Sequence, residues 1–326
     1  MSVPVLSVLN LRVEFPTRRG SLTAVDGVSF DIMPGEVLGL VGESGAGKSV
    51  TGAAVIGLLD PPGRLAGGEV RLAGERIDRL RGEAMRRLRG KHIGMVFQDP
   101  MTSLNPLMRI GDQLVETISA HLDMSGDAAR ERARVLLSEV GIPAPDLRID
   151  DYPHQFSGGM RQRVVLALAL AAEPRLIIAD EPTTALDVSV QAQIIALLKR
   201  LCVQHGVAVL LITHDMGVIA ETADRVAVMY AGRIVEIGPL RAVLAQPLHP
   251  YTQGLIGAIP TLDSELDRLV QIPGSMPRLT NMPPGCAFHP RCPRVLAPCR
   301  TERPPQIDVA RSTAACWLYR EQAVAP

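Results

Sequence analysis

Eight residues in the first fifth of the chain, Gly42-Glu43-Ser44-Gly45-Ala46-Gly47-Lys48-Ser49, fit the pattern G-x-x-x-x-G-K-S/T. That pattern is built to bind phosphate. The glycines let successive backbone N–H groups turn inward on an anion, Lys48 adds a point charge at the β- and γ-phosphates, and the Ser49 hydroxyl can ligate Mg²⁺. The plainer alternative is a glycine-rich turn between a strand and a helix. Against it, one of only three lysines in the chain (Lys48, Lys91, Lys199) stands at the required place.

A second segment, Leu176-Ile177-Ile178-Ala179-Asp180-Glu181, reads as an apolar strand ending in two carboxylates. Asp180 is placed to hold Mg²⁺ directly or through water, and Glu181 to act as general base on an attacking water. Taken alone, the same string is a buried strand ending in a solvated acidic turn. Between the two segments lies Phe156-Ser157-Gly158-Gly159-Met160-Arg161-Gln162-Arg163, opening the apolar run Val164 to Ala172. A serine and two glycines at a helix N-terminus offer free N–H donors and a positive dipole end. One γ-phosphate does not need two such sites in one chain, but two chains facing head to tail would each present this loop to the other's nucleotide.

The elements that must position these residues follow from the pattern. Segments around Leu6 to Phe15 and Val25 to Ile32 alternate as strands, and the apolar run Val37 to Val41 follows the turn Pro34-Gly35. The glycine loop and a stretch of helical length, Val50 to Leu59, come next. Residues 101 to about 160 change to helices with charged faces, broken by Pro143, Pro145 and Pro153, which reads as an inserted helical subdomain. Beyond it, Leu176 to Ala179 and Val207 to Ile212 alternate with helical segments 188–204 and 215–222, the order of a parallel sheet covered by helices. After about residue 258 prolines crowd and periodicity fades, so the expected domains are 1–258 and a loop-rich extension over 259–326.

Composition narrows the function. The 326 residues carry 34 Lys plus Arg against 34 Asp plus Glu, so no bulk positive field is present to hold nucleic acid, and any anion must be bound by a local site. No apolar run approaches the roughly 18 to 20 residues of a membrane-spanning helix, and the start MSVPVLSVLNLRVEF has no basic region followed by an apolar one and a cleavage site. A cytosolic, reducing compartment is therefore expected, which argues against structural disulfides.

Together the motifs resemble the ATP-binding-cassette (ABC) ATPases. Besides the two phosphate-site segments and the signature loop SGGMRQR, the chain shows Gln98 within VFQDP, the D-loop Ala185-Leu186-Asp187 and His214 within ITHD, in the family's order across residues 5 to about 240. The resemblance implies an α/β fold of the P-loop NTPase class: a mixed sheet core with an N-terminal antiparallel β subdomain and the inserted helical subdomain. It also implies roles: Gln98 touching Mg²⁺ or the attacking water, His214 holding the γ-phosphate, Asp187 contacting the opposite monomer, and Phe15 stacking on adenine. Singly, Gln98 reads as a surface amide, His214 as a structural histidine, Asp187 as a helix N-cap and Phe15 as a strand position. The signature departs from the family's usual form at Phe156 and Met160 but keeps its Ser and Gly donors.

The strings VFQDPMTSLNP, FSGGMRQR, DEPTTALDVSVQAQI and HPYTQGLIGAIP narrow the resemblance to ATPase subunits of bacterial oligopeptide/dipeptide importers, whose relatives also carry nickel or glutathione. That resemblance implies ATP and Mg²⁺ as cofactors, and as partners two permease subunits, a second and non-identical ATPase subunit and a periplasmic solute-binding protein. The location implied is peripheral, on the cytoplasmic face of the bacterial inner membrane. Two rivals fit less well. A soluble cassette protein acting on DNA or ribosomes would need a coiled-coil insertion or a second cassette, and a GTPase would need an N-K-x-D motif that neither Lys91 nor Lys199 supplies.

Cys286, Cys292, Cys299 and Cys316 cluster near the C-terminus, with Cys202 alone elsewhere. Four thiolates suit a four-iron four-sulfur cluster or tetrahedral Zn²⁺, or they are unliganded thiols in a loop-rich tail. The lack of a C-x₂-C pair favours iron–sulfur over zinc, and the peptide-importer resemblance points the same way.

Overall fold

The computed structural model describes residues 3–18, 20–184, 186–258 and 271–321. By its internal contacts the chain forms two compact units. Of the described residues, one contains those up to Leu6, those of Asp31–Val37 and those of Arg71–Leu211; the other contains those of Ser7–Phe30, of Leu38–Val70 and from Ile212 onward.

The first unit is built on the parallel strands Ile93–Val96 and Leu176–Asp180, paired from Ile93 opposite Leu176 to Val96 opposite Ala179. The strand Ala208–Thr213 neighbours Leu176–Asp180 on its other side. Leu176, Ile177, Ile178 and Ala179 have no exposed surface. A strand apolar on both faces must be covered on both, and this is why these segments show no polar alternation.

Helices Ile110–His121, Gly126–Glu139, Gly158–Leu170 and Val188–His205 belong to the same unit. Ser125 caps Gly126–Glu139 by accepting from Ala128 N–H, and Ala129, Ala133, Leu136 and Leu137 form its buried stripe at helical spacing. Residues 101–160 fold as helices, short turns and a 3₁₀ segment leading into Gly158–Leu170. Val188–His205 ends at Gly206, whose φ of 64° supplies the left-handed cap.

The second unit holds the antiparallel strands Leu6–Thr17 and Gly20–Ile32, followed in the same sheet by Arg64–Leu72. In Leu6–Thr17 the buried positions run Leu6, Val8 and then Leu11, Val13. The slip of one residue falls on Asn10 with φ 49°, opposite Gly68, where a Cβ would stand 2.5 Å from Asn10 O. A left-handed residue facing a glycine lets the strand change register without losing its core face.

Val37–Val41 is buried along its length and lies parallel to Arg225–Tyr230, from Leu38 opposite Arg225 to Val41 opposite Val228. Arg233–Pro239 returns antiparallel. The C-terminal residues then join this sheet. Ser312–Ala314 pairs with Arg233–Pro239, and Ile307–Val309 with Ser312–Ala314. Gln306 Nε2 donates to Ile234 O at 2.7 Å, and the Tyr319 hydroxyl to Leu248 O at 2.9 Å. Residues near the C-terminus are thus held to this sheet by strand addition, two three-residue strands pairing at its edge. No helix among the described residues is long and apolar enough to cross a membrane.

Candidate nucleotide site

In the second unit the phosphate loop joins Val37–Val41 to the helix Lys48–Val55. Gly45 and Gly47 have φ of 82° and 102°. A Cβ on Gly47 would meet Ala24 O at 2.8 Å and Met229 Cε at 2.9 Å, so both torsion and space demand glycine. Lys48 is buried and its ammonium donates to Gly42 O at 2.8 Å and Glu43 O at 3.1 Å, folded over the loop it would serve. Ala46 is buried, while Ser44 and Ser49 are exposed. Phe15 is half-buried, its ring edge against Gly63, where a Cβ would lie 2.8 Å from Cε1.

His214 is exposed, between the strand Ala208–Thr213 and the helix Met216–Thr222. Asp215 fixes that junction by accepting from Gly217 N–H at 2.8 Å and Val218 N–H at 3.4 Å.

In the first unit Gln98 follows Ile93–Val96, and Asp180 and Glu181 end Leu176–Asp180, so parallel pairing brings residues 83 apart in sequence to one edge. Gln98 Nε2 donates to Glu181 Oε2 at 3.1 Å, and the Thr184 hydroxyl donates to the same oxygen at 3.0 Å. Glu181 adopts φ 47°. A left-handed glutamate costs on the order of 1 to 3 kcal/mol and is kept where surrounding structure holds it. Asp180 is half-buried at the strand end. The pair of carboxylates aimed out of a strand terminus, one of them oriented by an amide and a hydroxyl, can accept a proton or ligate a cation. Thr184 carries no signal in sequence beyond lying three residues after Glu181.

Ser157 caps Gly158–Leu170, its hydroxyl accepting from Met160 N–H at 3.3 Å. Ser157 and Gly158 are exposed. A Cβ on Gly158 would stand 3.7 Å from Leu186 Cδ2, and one on Gly159 2.7 Å from Val190 Cγ1, so the signature loop lies against the segment that carries Asp187. Asp187 occupies the N-cap position of Val188–His205 but its side chain makes no capping hydrogen bond. It is exposed. Ala185 lies outside the described residues.

The description "ABC transporter" matches residues 25–184, and "Oligopeptide/dipeptide transporter, C-terminal region" matches residues 235–299. The dipeptide transport ATP-binding protein DppD of Bacillus subtilis is 50% identical over 321 residues, covering 98% of this chain and 96% of that protein. The chain belongs to the ATP-binding proteins of ABC transporters. The oligopeptide transport ATP-binding protein OppD of Salmonella typhimurium is 48% identical, covering 98% of this chain and 95% of that one.

Among solved structures, the ATP-binding cassette MJ0796 in a dimeric post-hydrolysis state with ADP and Pi superposes with a TM-score of 0.65 at 29% identity, covering 72% of this chain and 99% of that one. The fold is accordingly that of an ABC ATPase cassette, and the protein is an ATPase using ATP and Mg²⁺. Taken one by one, the Ser49 hydroxyl, the Asp180 carboxylate and the Gln98 amide are oxygen donors of the kind Mg²⁺ takes.

The cysteine segment belongs to this ABC protein's second unit. Burial raises the thiols of Cys286, Cys292 and Cys316 above their ordinary value, Cys316 to about 11, and the other three cysteines add to the rise at Cys316. Two of the sulfurs also accept a backbone N–H, Cys292 from Arg294 and Cys299 from Leu296, both at 3.4 Å. Such donors stabilise thiolate over thiol. Among the described residues no three His, Cys, Asp or Glu side chains converge as a single metal ion requires.

Proposed function

We propose that this subunit energises import of di- or oligopeptides across a bacterial inner membrane. The observation that carries the chemistry is the orientation of Glu181 by Gln98 and Thr184 at a strained backbone position. In this reading Glu181 is the general base that takes a proton from the water attacking the γ-phosphate. The N–H groups of residues 42–49, with Lys48, bind the phosphates. Ser49, Asp180 and Gln98 would hold Mg²⁺, which when bound neutralises charge on the phosphate oxygens. His214 orients water and phosphate, Phe15 stacks on adenine, and Ser157, Gly158, Gly159 and Asp187 face the nucleotide of an opposite subunit.

Peptide as the solute rests on the names of the relatives and on the C-terminal match. Nickel, glutathione or another small solute carried by the same machinery is the second reading. The partners proposed are two membrane permeases, a second and non-identical ATPase subunit and a periplasmic binding protein. The subunit would sit peripherally on the cytoplasmic face. The ATPase domain in this reading is 1–258 and the extension 259–326, within which the four cysteines would hold a four-iron four-sulfur cluster, a reading supported by their clustering in sequence and by the N–H donors on Cys292 and Cys299.

The test is ATP-driven uptake in proteoliposomes rebuilt from this subunit and the permeases encoded beside it. Peptide accumulation that requires ATP and is abolished by Glu181→Gln supports the reading. ATP hydrolysis stimulated by nickel or glutathione carriers but not by peptide-loaded binding protein overturns the choice of solute.

A further inference from the structure

Glu43, the second residue of the phosphate loop, is gripped at both its backbone and its side chain by residues more than 200 positions away. Its N–H donates to the Tyr251 hydroxyl at 2.8 Å. Its carboxylate receives Arg291 Nη1 at 3.0 Å on each oxygen. Its carbonyl is one of the two that hold the Lys48 ammonium. Glu43 therefore links the phosphate-binding lysine directly to the C-terminal segment.

Arg291 is itself fixed. Its side chain is 7% exposed. Its Nε donates to Pro273 O at 2.7 Å and its Nη2 to Ile272 O at 3.3 Å. The guanidinium lies 5.8 Å from the Tyr230 ring centre and 5.9 Å from that of Phe288, and the Tyr230 ring packs 4.6 Å from Tyr251. A planar fork held this way fixes its carboxylate partner in angle as well as distance. Arg291 also ends the 3₁₀ turn His289–Arg291, bracketed by two cysteines: His289 N–H donates to Cys286 O at 3.0 Å, and Cys292 N–H to His289 O at 3.3 Å.

A glycine-rich loop must lose backbone freedom when its N–H groups close on phosphate. A tether that already holds one of its residues reduces that loss. We propose that Arg291 and Tyr251 are positioning residues of the nucleotide site, holding Glu43 so that ATP affinity depends on the order of the cysteine-bracketed turn 286–292. The proposal rests on the reading of residues 42–49 as the ATP site.

The experiment measures Mg²⁺-dependent binding of a fluorescent ATP analogue to the full chain. Arg291→Glu and Glu43→Arg should each raise Kd about tenfold, which corresponds to about 1.4 kcal/mol, and the double reversal should bring it back to within about threefold of the parent. Urea unfolding of the same variants separates the roles: the tether predicts weaker ATP binding without a matching fall in the unfolding midpoint, whereas a purely structural role lowers both together. Tyr251→Phe should weaken binding by a few-fold, and Arg291→Lys by less than Arg291→Glu; these two mild variants give the same reading if a reversal does not fold.

Replacing Cys286 and Cys292 by Ser should weaken binding in the parent and add nothing in the Arg291→Glu background. Unchanged affinity in the single variants, no rescue in the double reversal, or fully additive losses with the serine variants each overturn the tether. A parent chain that binds no nucleotide while remaining folded overturns the ATP-site reading, and the tether with it, whereas a parent that binds with unaffected variants overturns the tether alone.

Discussion

Gln98 Nε2 lies 3.1 Å from Glu181 Oε2, across a pair of parallel strands that set the two residues side by side. A carboxylate that accepts from an amide and from the Thr184 hydroxyl is held in orientation. Glu181→Gln should lower the ATPase kcat by roughly 10² to 10⁴ with ATP affinity retained, the range for losing a general base. Gln98→Ala and Thr184→Val should each give a smaller fall in kcat. Steady-state phosphate release and equilibrium ATP binding on the same samples check this, and normal turnover by the Glu181→Gln protein would remove Glu181 from the role.

Gly47→Ala should weaken both fold and nucleotide binding. The new methyl group would meet Ala24 O at 2.8 Å, and φ of 102° is foreign to alanine. The torsion alone is worth on the order of 1 to 3 kcal/mol. Urea unfolding should show a lower midpoint with unchanged slope, and ATP binding should fall in the same variant. By contrast Gly126→Ala, where a Cβ meets nothing within 4 Å, should leave both unchanged.

His249 gives the fold an acid limit. It is buried, its Nδ1 accepts from Tyr251 N–H at 3.1 Å, and desolvation lowers its pKa from 6.5 to about 3. The unfolded chain therefore binds this proton at higher pH than the folded one. Stability from His249 is complete above about pH 6.5 and is lost as pH falls toward 3, at up to about 1.4 kcal/mol per pH unit. Glu236, whose carboxylate accepts from Leu248 and His249 N–H, is shifted upward because burial outweighs those bonds, and it opposes the trend at higher pH. His249→Asn keeps a capping oxygen without the titration, so its unfolding free energy should vary less between pH 7 and pH 5 in urea melts.

The cysteine segment should bind iron. Anaerobically purified or reconstituted protein should contain iron and acid-labile sulfide in equal amounts, with visible absorption that bleaches on reduction. Serine at any one of Cys286, Cys292, Cys299 or Cys316 should lower the iron content, while Cys202→Ser, in the helix Val188–His205, should not. Protein reconstituted under these conditions that takes up zinc alone, or neither metal, would sink the cluster.

Much of the fold is legible because it is local. Val37–Val41, Leu176–Asp180, Ala208–Thr213, Val188–His205 and Met216–Thr222 coincide with apolar runs and helical periodicity in the chain, within a residue or two. Arg64–Leu72 is not legible this way. Its two central glycines and its charges interrupt any period, and it forms a strand because Gly68 fits against Asn10 in the neighbouring strand. The strands of the extension are missed for a related reason: three-residue strands acquire order only from the sheet edge they join.

The sequence alone determined the local elements on which the proposed chemistry rests. A glycine loop between strand and helix, an acidic pair at a strand end and a serine at a helix N-terminus each depend on neighbours a few residues away, and local backbone preference fixes them. Tertiary structure decided which side chains steady them. Gln98 meets Glu181 across 83 residues, and Arg291 meets Glu43 across 248. Loop-closure entropy grows only logarithmically with separation, so chain distance carries almost no information about such pairs. Packing of sheet and turn selects them, and only the folded chain displays that selection.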